Sequence, residues 1–218
     1  MLDFATARTN MVESQLRTNR VSDPRVIAAF ETLPRERFLP ESLRPVAYVD
    51  EDLRIAPGRY AMEPMVLGRL VDHAQVAKSD RVLVVGAGCG YACAVLADLA
   101  ARVVGLESNE ALADGAARVL GELGIDTAEI VRGPLPDGWP AEAPYNVILI
   151  NGAVAELPTG LRDQLADSGR LMAVLRDRAG IGRGTLVERV GDAVGQRTLF
   201  DAGTPVLPDF ERAPGFVF

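Results

Sequence analysis

One short stretch of the chain combines residue types and spacing that suit binding chemistry: Val82-Leu83-Val84-Val85-Gly86-Ala87-Gly88-Cys89-Gly90-Tyr91. A β-branched run ends in three alternate glycines and passes into a helix-like segment. Gly86 permits a tight turn, Gly88 lets a ligand approach the backbone closely, and Gly90 lets the helix start pack against the strand. The N–H groups at such a helix start suit a polar or negative group. About 20 residues further on, Glu107 closes a second β-branched run, where a carboxylate can accept both hydroxyls of a ribose. Gly86, Ala87, Gly88, Gly90, Glu107 and the adjoining Ser108 are therefore candidate contacts to a nucleotide cofactor.

Spacing separates the possible cofactors. Dinucleotide binders usually show G-x-G-x-x-G. This chain has G-x-G-x-G, with Tyr91 at the third dinucleotide glycine, which favours S-adenosylmethionine. The competing reading is a tight strand–helix turn beside an incidental acid. Two other chemistries find little support. Cys89 and Cys93 lack further Cys or a nearby His, so no metal site is expected, and the pair reads as reduced core cysteines. The one histidine, His73, reads as a structural or surface residue on its helix.

These residues need a scaffold, and the pattern supplies one. Arg81–Val85, Arg102–Glu107 and residues 127–132, 145–151 and 170–175 read as strands, with helices over 90–100, 109–123 and 157–165 between them. Ser108 is the expected cap of the helix over 109–123, with Leu112, Ala116, Val119 and Leu123 on one side. This alternation implies a parallel sheet covered on both faces. Residues 185–190 and 196–200 read as a hairpin at one edge, and residues 204–218 as an extended strap or edge strand. Before the sheet, Met11, Val12 and Leu16 have helical spacing. Ser22-Asp23-Pro24 opens a helix, and Glu63-Pro64 opens another that runs to about Gln75. The stretch from Pro34 to Pro57 reads as irregular, with Phe38, Leu39, Tyr48 and Leu53 pinning it to the core.

At 218 residues the chain is long enough for a full apolar core. Its net charge of −7 argues against nucleic acid as a partner. The cluster Arg176, Arg178 and Arg183, interrupted by Asp177, reads as a solvated face. The longest apolar run, residues 82–97, is broken by glycines and shorter than the ~20 residues of a membrane span. No targeting signal is evident in residues 1–10, so a cytoplasmic protein without membrane partners is expected.

Several further motifs carry a family resemblance. Met11-Val12 through Gln15-Leu16, the segment Leu33-Pro34-Arg35-Glu36-Arg37-Phe38-Leu39-Pro40, Ala47-Tyr48, Leu157-Pro158, Gln164-Leu165 and Gly169-Arg170-Leu171 together resemble the protein-L-isoaspartate O-methyltransferase family over nearly the whole length. The resemblance implies a Rossmann-like α/β fold with a seven-strand class I methyltransferase sheet, mostly parallel. It also implies an N-terminal helical segment, one domain (a cap and substrate-side part over 1–77, a cofactor-binding sheet over 78–218), S-adenosylmethionine as cofactor, and repair of isoaspartyl residues in proteins. It places Tyr60, Met62 and Glu63 on the substrate side, and Gly133 and Pro134 near the adenine.

The chain departs from the family pattern at chemically meaningful points. Met62-Glu63-Pro64 stands where members usually carry Ser-x-Pro, and Met62 has no hydroxyl to offer a substrate carboxylate. Gly133-Pro134-Leu135 replaces Gly-Asp-Gly, whose acid bonds the adenine amine. Val84 and Asn146 stand where acids are usual. An isoaspartyl carboxyl methyltransferase, a methyltransferase for another acceptor, and a non-catalytic S-adenosylmethionine-binding homologue all remain open on the sequence.

Overall fold

The structure, a computed structural model, describes residues 3–210. The chain opens with α1 (Phe4–Met11), whose N-terminal Thr6 N–H is capped by Asp3, and runs on through one wider turn, Val12–Leu16. Then come α2 (Pro24–Thr32), α3 (Arg35–Phe38) and a hairpin, β1 (Leu53–Ala56) and β2 (Arg59–Ala61). The Ser22-Asp23-Pro24 start behaves as its residue types predict: Asp23 accepts the Arg25 N–H and Pro24 occupies the first turn.

The rest alternates: α4 (Pro64–Ala74), β3 (Arg81–Val85), α5 (Tyr91–Ala97), β4 (Arg102–Glu107), α6 (Glu110–Glu122), β5 (Ala128–Arg132), β6 (Tyr145–Val154), α7 (Thr159–Asp163), β7 (Leu165–Arg176), β8 (Gly182–Val190) and β9 (Ala193–Asp201). Seven strands form one sheet in the order β5-β4-β3-β6-β7-β8-β9. The pairs from β5 to β7 are parallel, and β8 and β9 add an antiparallel hairpin at the edge. The order reverses at β3, with β4 on one side and β6 on the other. That crevice beyond the strand ends is where open α/β sheets bind ligands.

Alternation along β3 divides the core. Val82 and Val84 face a layer built from α1, α2, α4 and α5, which also takes in Phe38, Leu39, Tyr48 and Leu53. Leu83 and Val85 face the other layer, where Leu135, Tyr145, Leu161, Leu207 and Phe210 fill in for long helices. Buried Arg35 ties the irregular N-terminal stretch down, giving hydrogen bonds to the carbonyls of Ala47 (2.8 Å) and Met62 (2.9 Å) and lying 4.9 Å over the Tyr91 ring.

Two local expectations change, and a third holds over the residues described. Residues 53–61 form the β1–β2 hairpin rather than irregular chain, turning at Pro57-Gly58. The cap of α6 is Asn109, which accepts the Leu112 N–H, and the helix buries Ala113, Ala116, Val119 and Leu120, so Leu112 is not on its core face. Residues 204–207 run as a strap across the end of β6, through Ala153 N–H to Pro205 O (3.0 Å) and Leu207 N–H to Ala153 O (2.9 Å). The remainder of the expected strap, residues 211–218, lies outside the described residues. Among the described residues 3–210, no helix is long and apolar enough to cross a membrane.

Candidate functional site

The glycine loop sits at the C-terminal end of β3, at the point where the strand order reverses. Its N–H groups turn inward. Those of Gly86 and Ala87 both donate to Leu106 O at 2.9 Å, and Gly90 N–H donates to Ala87 O. Gly88 N–H donates to a Glu107 carboxylate oxygen at 2.8 Å. Gly88 and Gly90 have φ of +57° and +89°, a region that favours glycine. A Cβ on Gly90 would lie 3.0 Å from Ala116 Cβ, so this glycine serves close packing on α6 rather than on the strand.

Glu107 is fully buried at the end of β4. Its Oε1 accepts the N–H groups of Ser108 and Asn109, both at 2.9 Å, and the Nε–H of Arg59 at 3.2 Å. With Gly88 on Oε2, the carboxylate has four donors, which satisfies it in a fully buried position. Gly133 joins this edge, its N–H donating to the Glu107 backbone carbonyl, while Pro134 is exposed.

Arg59 was not among the residues the sequence singled out. It begins β2, is buried, and bridges three groups: Glu107, Ser108 Oγ (2.7 Å) and Asp209 (2.6 Å) on the strap. The strap also brings apolar groups. A Cβ on Gly86 would lie 3.2 Å from Leu207 Cδ1, and one on Gly152 only 2.6 Å from Leu207 Cγ. Ile55 of β1 covers Gly88, and Pro208 covers Gly58. At 152 any Cβ would displace Leu207, and at 86 it would push Leu207 back by a few tenths of an ångström.

The substrate-side candidates lie next door. Tyr60 and Met62 line a small cavity with Asp52, Asn151, Gly152, Thr204 and Leu207; it has room for about one water. Asn151 links the two halves, since its Nδ2 donates to Gly86 O at 3.0 Å. Glu63 does not line this cavity. It sits among acids instead: its N–H donates to Asp52, and burial together with repulsion from Asp52, Asp50 and Glu51 pushes its carboxyl up to about 7. Burial also raises the carboxyls of Asp50 and Asp52. The structure thus brings Gly86, Ala87, Gly88, Glu107, Ser108 and Gly133 together, places Tyr60 and Met62 beside them, and leaves Glu63 and Pro134 at the margin.

His73 is exposed and stacks on Phe200 of β9. Cys93 is buried in α5 and Cys89 half-buried in the loop, both as free thiols.

The family profile described as protein-L-isoaspartate(D-aspartate) O-methyltransferase matches residues 7–192. A protein-L-isoaspartate O-methyltransferase of Methanoculleus marisnigri is 40% identical over 184 residues, covering 84% of each chain. A protein-L-isoaspartate O-methyltransferase 1 of Rhodopseudomonas palustris is 42% identical over 78% of this chain and 69% of its own. Among solved structures, a Plasmodium falciparum protein titled as a putative protein-L-isoaspartate O-methyltransferase, in complex with S-adenosyl-L-homocysteine, superposes with a TM-score of 0.78 at 19% identity. The superposition covers 96% of this chain and all of that one, and it supports the seven-strand methyltransferase fold. The chain belongs to the protein-L-isoaspartate(D-aspartate) O-methyltransferase family.

Proposed function

We propose that this protein transfers a methyl group from S-adenosylmethionine to a carboxylate of an isoaspartyl residue in a protein or peptide. The observation that supports this best is the family match across residues 7–192, over a chain that keeps the Gly86-Ala87-Gly88 loop and Glu107 at the sheet's reversal point. Gly86, Ala87, Gly88, Gly90, Glu107, Ser108 and Gly133 are the residues we assign to the cofactor, with Pro134 beside the adenine. Tyr60 and Met62 are assigned to the acceptor. The cofactor supplies a methyl group on a sulfonium. An acceptor that is already a carboxylate needs no base to attack it, so the protein's task is alignment and exclusion of water.

In the arrangement described above the cofactor does not fit. Both Glu107 oxygens are held by protein donors, and Leu207 stands against Gly86 and Gly152. The reading therefore requires this end of the molecule to open before a methyl group can be transferred.

One observation favours a second reading, a methyltransferase for an acceptor other than a carboxylate. Asp50, Asp52 and Glu63 gather beside Met62, where a negative acceptor would be repelled unless Glu63 is protonated. Transfer of labelled methyl to isoaspartyl peptides and to matched aspartyl peptides decides between them. Isoaspartyl-selective labelling supports the first reading, and labelling of neither peptide removes it.

We also read residues 1–77 and 78–218 as parts of one domain, supported by the apolar layer that α1, α2 and α4 share with the sheet. A cytoplasmic location fits the two free thiols. Isoaspartyl proteins, rather than nucleic acid or membranes, are the partners we assign, in keeping with the net charge of −7.

A further inference from the structure

The space that the cofactor reading needs is held by this chain's own residues. Arg59 arrives from the β1–β2 hairpin and spans Glu107, Ser108 and Asp209. The strap arrives from the other end of the sequence and sets Leu207 on Gly86 and Gly152. The two elements are joined to each other by the Arg59–Asp209 ion pair at 2.6 Å. They are therefore one cover, built from segments 150 residues apart.

We propose that Arg59, Leu207 and Asp209 form a latch that occupies the cofactor cradle, so that the latch and S-adenosylmethionine compete for the same space. This inference rests on the cofactor reading above. Its physical logic is an exchange of donors. Glu107 is buried and needs hydrogen-bond donors whichever state the chain is in. In the closed form Arg59 supplies one. In the open form two ribose hydroxyls take that place, and Arg59 moves to water with its charge intact. Among the described residues the strap's polar ties are two backbone bonds to Ala153, the Ser108 Oγ bond to Asp209 and the Arg59–Asp209 pair, which lies partly in solvent; lifting it also uncovers Leu207 and Phe210. A chain that spends most of its time closed binds its ligand more weakly by the fraction of time it is open.

The test is calorimetric titration of the full-length protein and full-length variants with S-adenosylhomocysteine and S-adenosylmethionine, paired with hydrogen exchange of the Ala153, Leu207 and Phe210 amides without ligand. Arg59→Gln and Leu207→Ala are each expected to tighten binding at least tenfold and to speed exchange at the strap. Arg59→Lys, which keeps the charge, is expected to stay close to the wild type. If Leu207→Ala folds poorly, Arg59→Gln with Asp209→Asn carries the same expectation. Wild-type binding as tight as that of the variants overturns the latch and leaves the methyltransferase reading standing. Strap exchange that speeds up while no variant binds either compound overturns the cofactor reading, and the competition with it.

Discussion

Replacing Glu107 by Gln asks whether that carboxylate is already in use when no ligand is present. The side chain keeps its shape and loses its charge. In the structure Oε1 serves three donors and Oε2 serves Gly88 N–H. The amide oxygen can keep the three donors, but its NH2 group then faces the Gly88 N–H, and both are left buried without acceptors. Each such orphan costs ~1–3 kcal/mol. Arg59 also loses a buried counter-charge, although Asp209 remains within reach. The expected loss is about 2–4 kcal/mol, or roughly 4–16 °C in Tm for a chain of this size. Urea unfolding of the ligand-free proteins, followed by circular dichroism, reads it directly. A loss under ~1 kcal/mol, the range of ordinary surface changes, would mean that Glu107 waits free for a ribose and that no latch engages it.

Other expectations follow from single residues. Glu63 titrates near 7 when folded, against an unfolded value of 4.5, so the native state binds its proton more tightly. Stability is therefore lost as pH rises from 4.5 through 7, and Glu63→Gln should raise Tm at pH 8 but little at pH 4; an equal gain at both would contradict the assignment. Arg35→Met removes donors from the Ala47 and Met62 carbonyls, both buried in this packing, and should cost about 2–4 kcal/mol in urea unfolding. Gly90→Ala combines φ of +89° with a Cβ placed 3.0 Å from Ala116, and should cost about 1–3 kcal/mol. A neutral result there would show that the loop tolerates a different backbone path.

Sequence patterns located the sheet and the glycine loop at its reversal point because both are written locally. Arg81–Val85 and Arg102–Glu107 occur with the bounds that their β-branched runs suggest. The glycine loop joins β3 to α5 within ten neighbouring residues. The β1–β2 hairpin was also legible in part: Pro57-Gly58 between two short runs is a turn signal that the surrounding prolines masked. Misjudging the α6 cap has a simple cause. Ser108 and Asn109 are both good caps, and Ser108 instead faces Arg59, a partner 49 positions away. Arg59 itself lacked any local signal. An arginine in a polar-looking turn ordinarily points to water, and the partners that bury it come from β4 and the strap. Long-range ion pairs of this kind follow from the tertiary path alone, so local reading found the glycine loop and Glu107 without the residues that cover them.

The central claim is that one space has two possible occupants, the chain's own latch and a nucleoside cofactor. Its most direct test is a crystal structure of the full-length protein grown with S-adenosylhomocysteine. The expected result is ribose hydroxyls on Glu107, with Arg59 withdrawn from that carboxylate and Leu207 lifted from Gly86 and Gly152. A nucleoside seated on the glycine loop while Arg59 still bridges Glu107 and Asp209 would contradict it.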